Sequence, residues 1–178
     1  VGLGSGSLGT SLTTGTDNVA IGENAGDALS TGSDNTLVGD NAGGALTTGG
    51  ENIAIGSAAL DAEDTGNRSV AIGFEALTAQ NNDANNYNVA VGYVAGKAVT
   101  SGIRNNFFGA ESGEAVTTGD DNIAIGYQAL TSETAGNRSI AIGGNALDAQ
   151  NSSTDTNMYN VGVGYAAGGA VTTGVQNT

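Results

Sequence analysis

The residues best suited to chemistry are gathered in two stretches, AQNNDANNYN (79–88) and AQNSSTDTNMYN (149–160). Tyr87 and Tyr159 each offer an aromatic face for stacking a sugar ring, and the amides and carboxylates around them offer partners for hydroxyls. The candidate receptor contacts are Asn81, Asn82, Asp83, Asn85, Asn86 and Tyr87 in the first stretch. In the second they are Asn151, Ser152, Asp155, Asn157 and Tyr159. The competing structural role folds each Tyr back over an apolar coil end with its hydroxyl in water. Asp83 and Asp155 could join amides and carbonyls around Ca²⁺, a hard ion that takes six to eight oxygens. One acid per stretch favours solvated turns instead, so no cofactor is expected.

Catalysis has little to stand on. The chain has no His and no Cys, which removes imidazole bases, thiol nucleophiles and thiolate metal sites. Paired carboxylates could hydrolyse glycosides, but the acids recur at turn positions rather than standing once in a groove. Glycine-rich stretches such as VGLGSG lack the Lys-Ser/Thr ending of a phosphate loop. The expectation is a protein that is not an enzyme. The only cations are Arg68, Lys97, Arg104 and Arg138, and the formal net charge is −14. Such a surface repels nucleic acid and anionic membranes. No apolar run reaches the ~18 residues of a membrane span, and no secretory leader opens the sequence. Both ends fall inside a repeat, which suggests a piece of a longer chain.

The elements that must position these stretches are repeats. Aligning the glycine that ends each apolar pentapeptide gives Gly4, Gly22, Gly39, Gly56, Gly73, Gly92, Gly109, Gly126, Gly143 and Gly164. Most steps are 17 residues, and the longest, from Gly143 to Gly164, is 21. A short fixed period means a solenoid. The fold class predicted is an all-β parallel solenoid, a β-roll of about ten 17-residue coils forming one array over 1–178. At the ~4.8 Å spacing of paired strands it would be a rod of roughly 48 Å.

Within each pentapeptide, large residues flank a small one, as in Val19-Ala20-Ile21 and Ile123-Ala124-Ile125. Alternation of this kind is strand spacing. It predicts two large aliphatics per coil in the core and a flat face of Ala and Gly outside. Packing that flat face predicts an obligate homotrimer, with a lone roll as the alternative. Phe108 then belongs to the core, and Phe107 to the small-residue face, where it plugs the trimer axis or patches the surface. A second, weaker strand is expected after each glycine. It comes in two kinds, Ala-Gly (AGDALSTG) and Ala-Leu (ALDAEDTG).

Arg68 and Arg138 occupy matching places in GNRSVAIG and GNRSIAIG. As functional groups they would contact anions or sialic acid. As structural groups, the favoured reading, they pair with acids on adjacent coils (Asp64 and Glu133 are near in sequence) or on a neighbouring subunit. Thr-Thr-Gly turns such as Thr47–Gly49 could align into a threonine ladder of the ice-binding kind, though only some coils carry the pair.

The unit NxAIGxxAL/AGxxLTTGxxN resembles the repeats of phage tail fibres that often end in an intramolecular chaperone of the endosialidase type. SVAIG and SIAIG also resemble the head repeat of trimeric autotransporter adhesins. The resemblance covers residues 1 to about 175. It implies a left-handed parallel roll in a threefold bundle, located outside the cell on a virion or a bacterial surface. Its implied role is attachment to cell-surface glycans or other host receptors. The present coils are longer than those of the adhesin heads, and neck, stalk, anchor and chaperone segments are not seen. The rival functions are a purely structural shaft with its receptor tip elsewhere, and an ice-binding or matrix filament.

A larger period lies above the first, for ENIAIGSAALDAEDTGNRSVAIG returns as DNIAIGYQALTSETAGNRSIAIG seventy residues on. Each module lengthens one coil at the same turn, by the two stretches first described. Extra residues are expected to leave the stack sideways as projecting loops, making two rings of three in a trimer.

Overall fold

The computed structural model describes residues 1–9 and 12–178. Ten short strands form one parallel sheet: β1 (Gly2–Leu3), β2 (Val19–Ile21), β3 (Thr36–Val38), β4 (Ile53–Ile55), β5 (Val70–Ile72), β6 (Val89–Val91), β7 (Asn106–Phe108), β8 (Ile123–Ile125), β10 (Ile140–Ile142) and β12 (Val161–Val163). β9 (Gly136–Asn137) and β11 (Thr156–Asn157) make a small side pair. Every strand pairs in register with its copy one coil away, as Ile53 with Val70 and Val70 with Val89. The chain is therefore an all-β parallel solenoid of about nine turns, with no helix among the described residues.

The inside and the outside of the sheet are the reverse of the expectation. The central residues Ala20, Leu37, Ala54, Ala71, Ala90, Phe107, Ala124 and Ala141 are fully buried, whereas Ile21, Ile53, Ile55 and Ile125 are 37–40% exposed. Phe107 is a core residue and Phe108, 40% exposed, stands outside. Alternation says that neighbours oppose each other but not which set faces in. The second wall decides, because it brings its own large side chain into a thin interior: Leu29, Leu46, Leu60, Leu77, Val99, Val116, Leu130 or Leu147. Opposite it there is room for Ala. Where the central residue is large, glycines yield the space. A Cβ on Gly26 or Gly43 would come within 2.6 or 2.9 Å of the Leu37 side chain, and one on Gly113 within 2.5 Å of the Phe107 ring.

That second wall is not a second strand. Residues two and four past the pentapeptide glycine take left-handed backbone, as at Asn24 and Gly26 (φ 53° and 59°) or Glu75 and Leu77 (51° and 49°). The chain coils too tightly for an extended ladder, yet its turns still bond coil to coil. Leu60 N donates to Ala76 O at 3.0 Å and Gly113 N to Ala129 O at 2.9 Å. A surface of small residues does exist, but on this wall, where Ala79, Ala98 and Ala115 line a shallow depression with Thr78, Lys97, Glu114 and Thr131.

Before most strands a buried Asn ties the stack, with Ser69 and Ser139 in its place before β5 and β10. Asn35 Oδ1 accepts from Asn52 N at 3.0 Å, and Asn35 Nδ2 donates to Gly49 O at 3.0 Å. The same bonds recur at Asn52, Asn105 and Asn122. They satisfy backbone groups that no strand partner reaches.

Candidate functional site

The two inserted stretches lie on the stack rather than leaving it. In the first, Ala84 O accepts from Asn67 N and Asn86 N donates to Asn67 O, both at 3.0 Å, while Asn81 N reaches forward to Thr100 O at 3.0 Å. In the second, β11 pairs with β9, and Asn151 N donates to Thr172 O at 3.0 Å. Each stretch is stitched to the coils on both sides. Asn81, Asp83, Asn85 and Tyr87 remain exposed in the first, with Asn82 half-buried. Asn151, Asp155, Asn157 and Tyr159 remain exposed in the second. Asn86 and Ser152, two of the expected contacts, are buried and turn inward.

Beneath each stretch is a buried carboxylate that the sequence reading missed. Glu63 Oε1 accepts from Gly66 N at 2.8 Å and from Asn82 N at 3.4 Å; its Oε2 accepts from Gln80 Nε2 at 2.8 Å and Asn86 Nδ2 at 3.0 Å. Gln80 also donates to Ser69 Oγ at 2.8 Å and accepts from Asn88 Nδ2 at 2.8 Å. Burial raises the Glu63 pKa above the usual carboxylate value, and the hydrogen bonds from Gln80, Gly66 and Asn82 pull the other way.

The second module repeats the cage. Glu133 Oε1 accepts from Thr134 N and Gly136 N at 2.8 Å and from Ser152 N at 2.9 Å, and Oε2 from Gln150 Nε2 at 2.7 Å. Each carboxylate therefore grips the backbone at the base of its inserted stretch. The signal was in the sequence: Glu and Gln replace Leu or Val, and Ser replaces Asn, together and twice.

Glu133 is thus a core anchor and not the partner of Arg138, nor does Asp64 pair with Arg68. The pairing is with the coil before. Arg68 meets Glu51 through Nε at 2.9 Å and Nη2 at 3.2 Å, and Arg138 lies 3.8 Å from Asp121. Arg104 holds Asp121 more closely, at 2.6 Å. These side chains share one turn column, in which residues from Asp17 to Gln176 have φ between 52° and 62°. Arg68 and Arg104 accordingly hold Glu51 and Asp121 below the usual carboxylate range.

Tyr87 and Tyr159 occupy the same column. Arg68 Nη1 donates to Tyr87 Oη at 3.1 Å and Arg138 Nη1 to Tyr159 Oη at 3.0 Å, with each guanidinium 5.8 Å from the ring centroid. The hydroxyls are therefore engaged by arginine as well as lying at the surface, and both rings stay nearly half exposed. Aligning the inserted stretches from their Tyr-Asn end, instead of their start, would have placed each Tyr one coil after its Arg.

Asp83 accepts from the Thr65 hydroxyl, and Asp155 accepts from Asn137 Nδ2 at 2.6 Å. No cluster of three metal-ligating acids occurs among the described residues. The Thr47 and Thr117 hydroxyls bond to carbonyls of the next coil, which withdraws them from an open threonine array. The geometry thus offers two matching aromatic–guanidinium pairs one module apart, each on a hydrogen-bonded footing. No family model, no curated protein and no solved structure matches the chain.

Proposed function

We propose that the chain is a non-catalytic segment of an extracellular fibre, of the phage tail-fibre or bacterial surface-adhesin kind. In this reading it associates as a homotrimer and presents its inserted stretches to cell-surface glycans or other host receptors. The observation that carries it is the outer face of the sheet. Ile21, Ile53, Ile55, Phe108 and Ile125 stand 37–40% exposed along one side of the rod. A contiguous apolar stripe of this length marks an interaction surface, and closed symmetric association would cover it. This apolar stripe takes over the role that the sequence reading gave to the small residues. The pairs at Tyr87 and Tyr159 would then be displayed in threefold rings, multiplying weak contacts by avidity.

The mass of the folded chain in solution, by light scattering or native mass spectrometry, tests the association. Three times 17.2 kDa is expected, with Ile55→Lys and Ile125→Lys together returning it to monomer; a wild-type monomer would sink the trimer. A glycan array read with Tyr87→Ala and Tyr159→Ala tests the display. A second reading, a shaft with no receptor contact, is supported by how tightly the stretches are bonded to their neighbours. Deleting 81–86 would then leave whole-fibre attachment unchanged.

A further inference from the structure

Half of the chain's five Tyr and three Phe stand in one column that neither the core nor the inserted stretches use. Phe74, Tyr93, Tyr127 and Tyr165 each follow the glycine that ends a strand pentapeptide, so stacking aligns them just beyond the strands' C-terminal ends. They are 45, 55, 53 and 84% exposed. Phe74 and Tyr93, on adjoining coils, stack with centroids 5.6 Å apart and planes 11° from parallel. After Tyr93 the rings come on every second coil, with Ala110 and Gly144 between. Two coils are about 9.5 Å of rise. The small residues add no bulk between the rings; a Cβ on Gly144 would make only ordinary contact with the Tyr165 ring, at 3.6 Å. Beside this column runs a polar one, in which Gln128 Nε2 donates to Glu111 Oε2 at 2.7 Å and Asn145 Nδ2 to Gln128 Oε1 at 3.4 Å.

We propose that this double column binds a linear, uncharged, β-linked polysaccharide laid along the rod. The C–H face of a sugar ring is weakly positive and sits on the negative face of an aromatic ring. Its equatorial hydroxyls need amide and carboxylate partners at the edge, which the polar column supplies. In a β-1,4-linked chain alternate sugars turn over, so the same face recurs once per disaccharide, close to the two-coil spacing of Tyr93, Tyr127 and Tyr165. Charge selects the polymer. The chain carries −14, and Lys97 near the column is already held by Glu75 at 2.5 Å, so an anionic polymer meets net repulsion. A second copy of the chain is the rival occupant of this column, and its presence there would overturn the proposal.

Calorimetric titration of the folded chain with cellohexaose and chitohexaose tests the site, with maltohexaose and an alginate hexamer as α-linked and anionic controls. Saturable binding of one or both β-linked probes is expected, with the controls inert. Tyr127→Ala should weaken it about tenfold, and Tyr165→Ala also substantially. Tyr127→Phe should keep most of it, and Tyr87→Ala should change nothing, which separates this site from the inserted stretches. The proposal is overturned if neither β-linked probe binds, if alginate binds better, or if Tyr127→Ala and Tyr165→Ala bind like the unaltered chain. It is equally overturned if Tyr93, Tyr127 and Tyr165 prove buried between subunits in the folded oligomer, read by peptide mapping as loss of iodination at those three residues.

Discussion

The Ala-Gly coils and the Ala-Leu coils solve one packing problem with the large side chain moved three positions along the chain. In the first kind, glycine follows the wall alanine (Ser112 in one coil) and Leu29, Leu46, Val99 or Val116 enters three residues later. In the second, Leu60, Leu77, Leu130 or Leu147 enters where the glycine was. The later position is then polar, as Glu63, Gln80, Glu133 or Gln150, and still buried. Interior volume per coil has to stay nearly constant for coils to stack at native density, so the two choices exclude each other. The exchange is not free. Those four leucines sit at φ 49–55°, a left-handed conformation that costs a residue with a Cβ about 1–2 kcal/mol. Burying a leucine offsets this by about 1.5–3 kcal/mol. What the Ala-Leu coils gain is a polar slot in the core, and in both modules that slot holds down the inserted stretch.

The largest effect should come from emptying that slot. Glu133→Ala leaves the buried donors of Thr134, Gly136, Ser152 and Gln150 without an acceptor, and should lower stability by about 3–5 kcal/mol. Chemical denaturation reads the loss, and hydrogen exchange should show it spreading through 149–160 first. If the change costs under about 1 kcal/mol, the carboxylate is not the anchor. Leu46→Ala, its apolar counterpart, should cost about 3 kcal/mol through the cavity it opens.

The inward alanines give the next test. Ala54→Val should overpack the roll and cost about 1–3 kcal/mol. Ile55→Thr, one residue on and facing out, should change the stability of a monomeric chain by less than about 1 kcal/mol. Equal effects would break the assignment of inside and outside.

Acid should distinguish the slot from the surface. The Glu63 pKa is raised in the folded chain, so the folded state holds that proton more tightly than the unfolded state does. The stability this group contributes is therefore present below the unfolded carboxylate value and lost as pH rises through the raised one. Glu51 and Asp121 run the other way, contributing above the usual carboxylate range and losing it as pH falls. Glu63→Gln should remove the first component alone, so its stability relative to the parent should improve as pH rises. A difference independent of pH would contradict the raised pKa.

The smallest effect compares the two modules directly. Asn86 stands where the second module has Met158, and its Oδ1 is the one buried side-chain atom without a partner among the described residues. Asn86→Met removes that orphan together with one donor to Glu63, so the net change should stay within about 1 kcal/mol. A large loss would show that Glu63 needs its fourth donor.

Much of this was readable from spacing. The pentapeptide register, the solenoid and the twofold recurrence of modules follow from the period, because a strand that stacks on its own copy must present the same pattern each time. The inserted stretches were legible as insertions, and Tyr87, Tyr159 and Asp83 do reach the surface. Their neighbours Asn86 and Ser152 do not, because amides and hydroxyls serve a buried carboxylate as well as they serve a ligand. Phe107 and Phe108 were exchanged for one another, since two large residues in succession carry no sign of which face is which.

By itself, then, the sequence determined the coil length, the parallel in-register pairing, the acidic surface and the absence of imidazole and thiol chemistry. These depend on residue type and on distance along the chain. Only the tertiary structure decided which side of each strand faces in, which acid each arginine meets, and that Glu63 and Glu133 lie beneath the inserted stretches. Those depend on what the opposite wall and the neighbouring coil place across a few ångströms, and a period of two is blind to that.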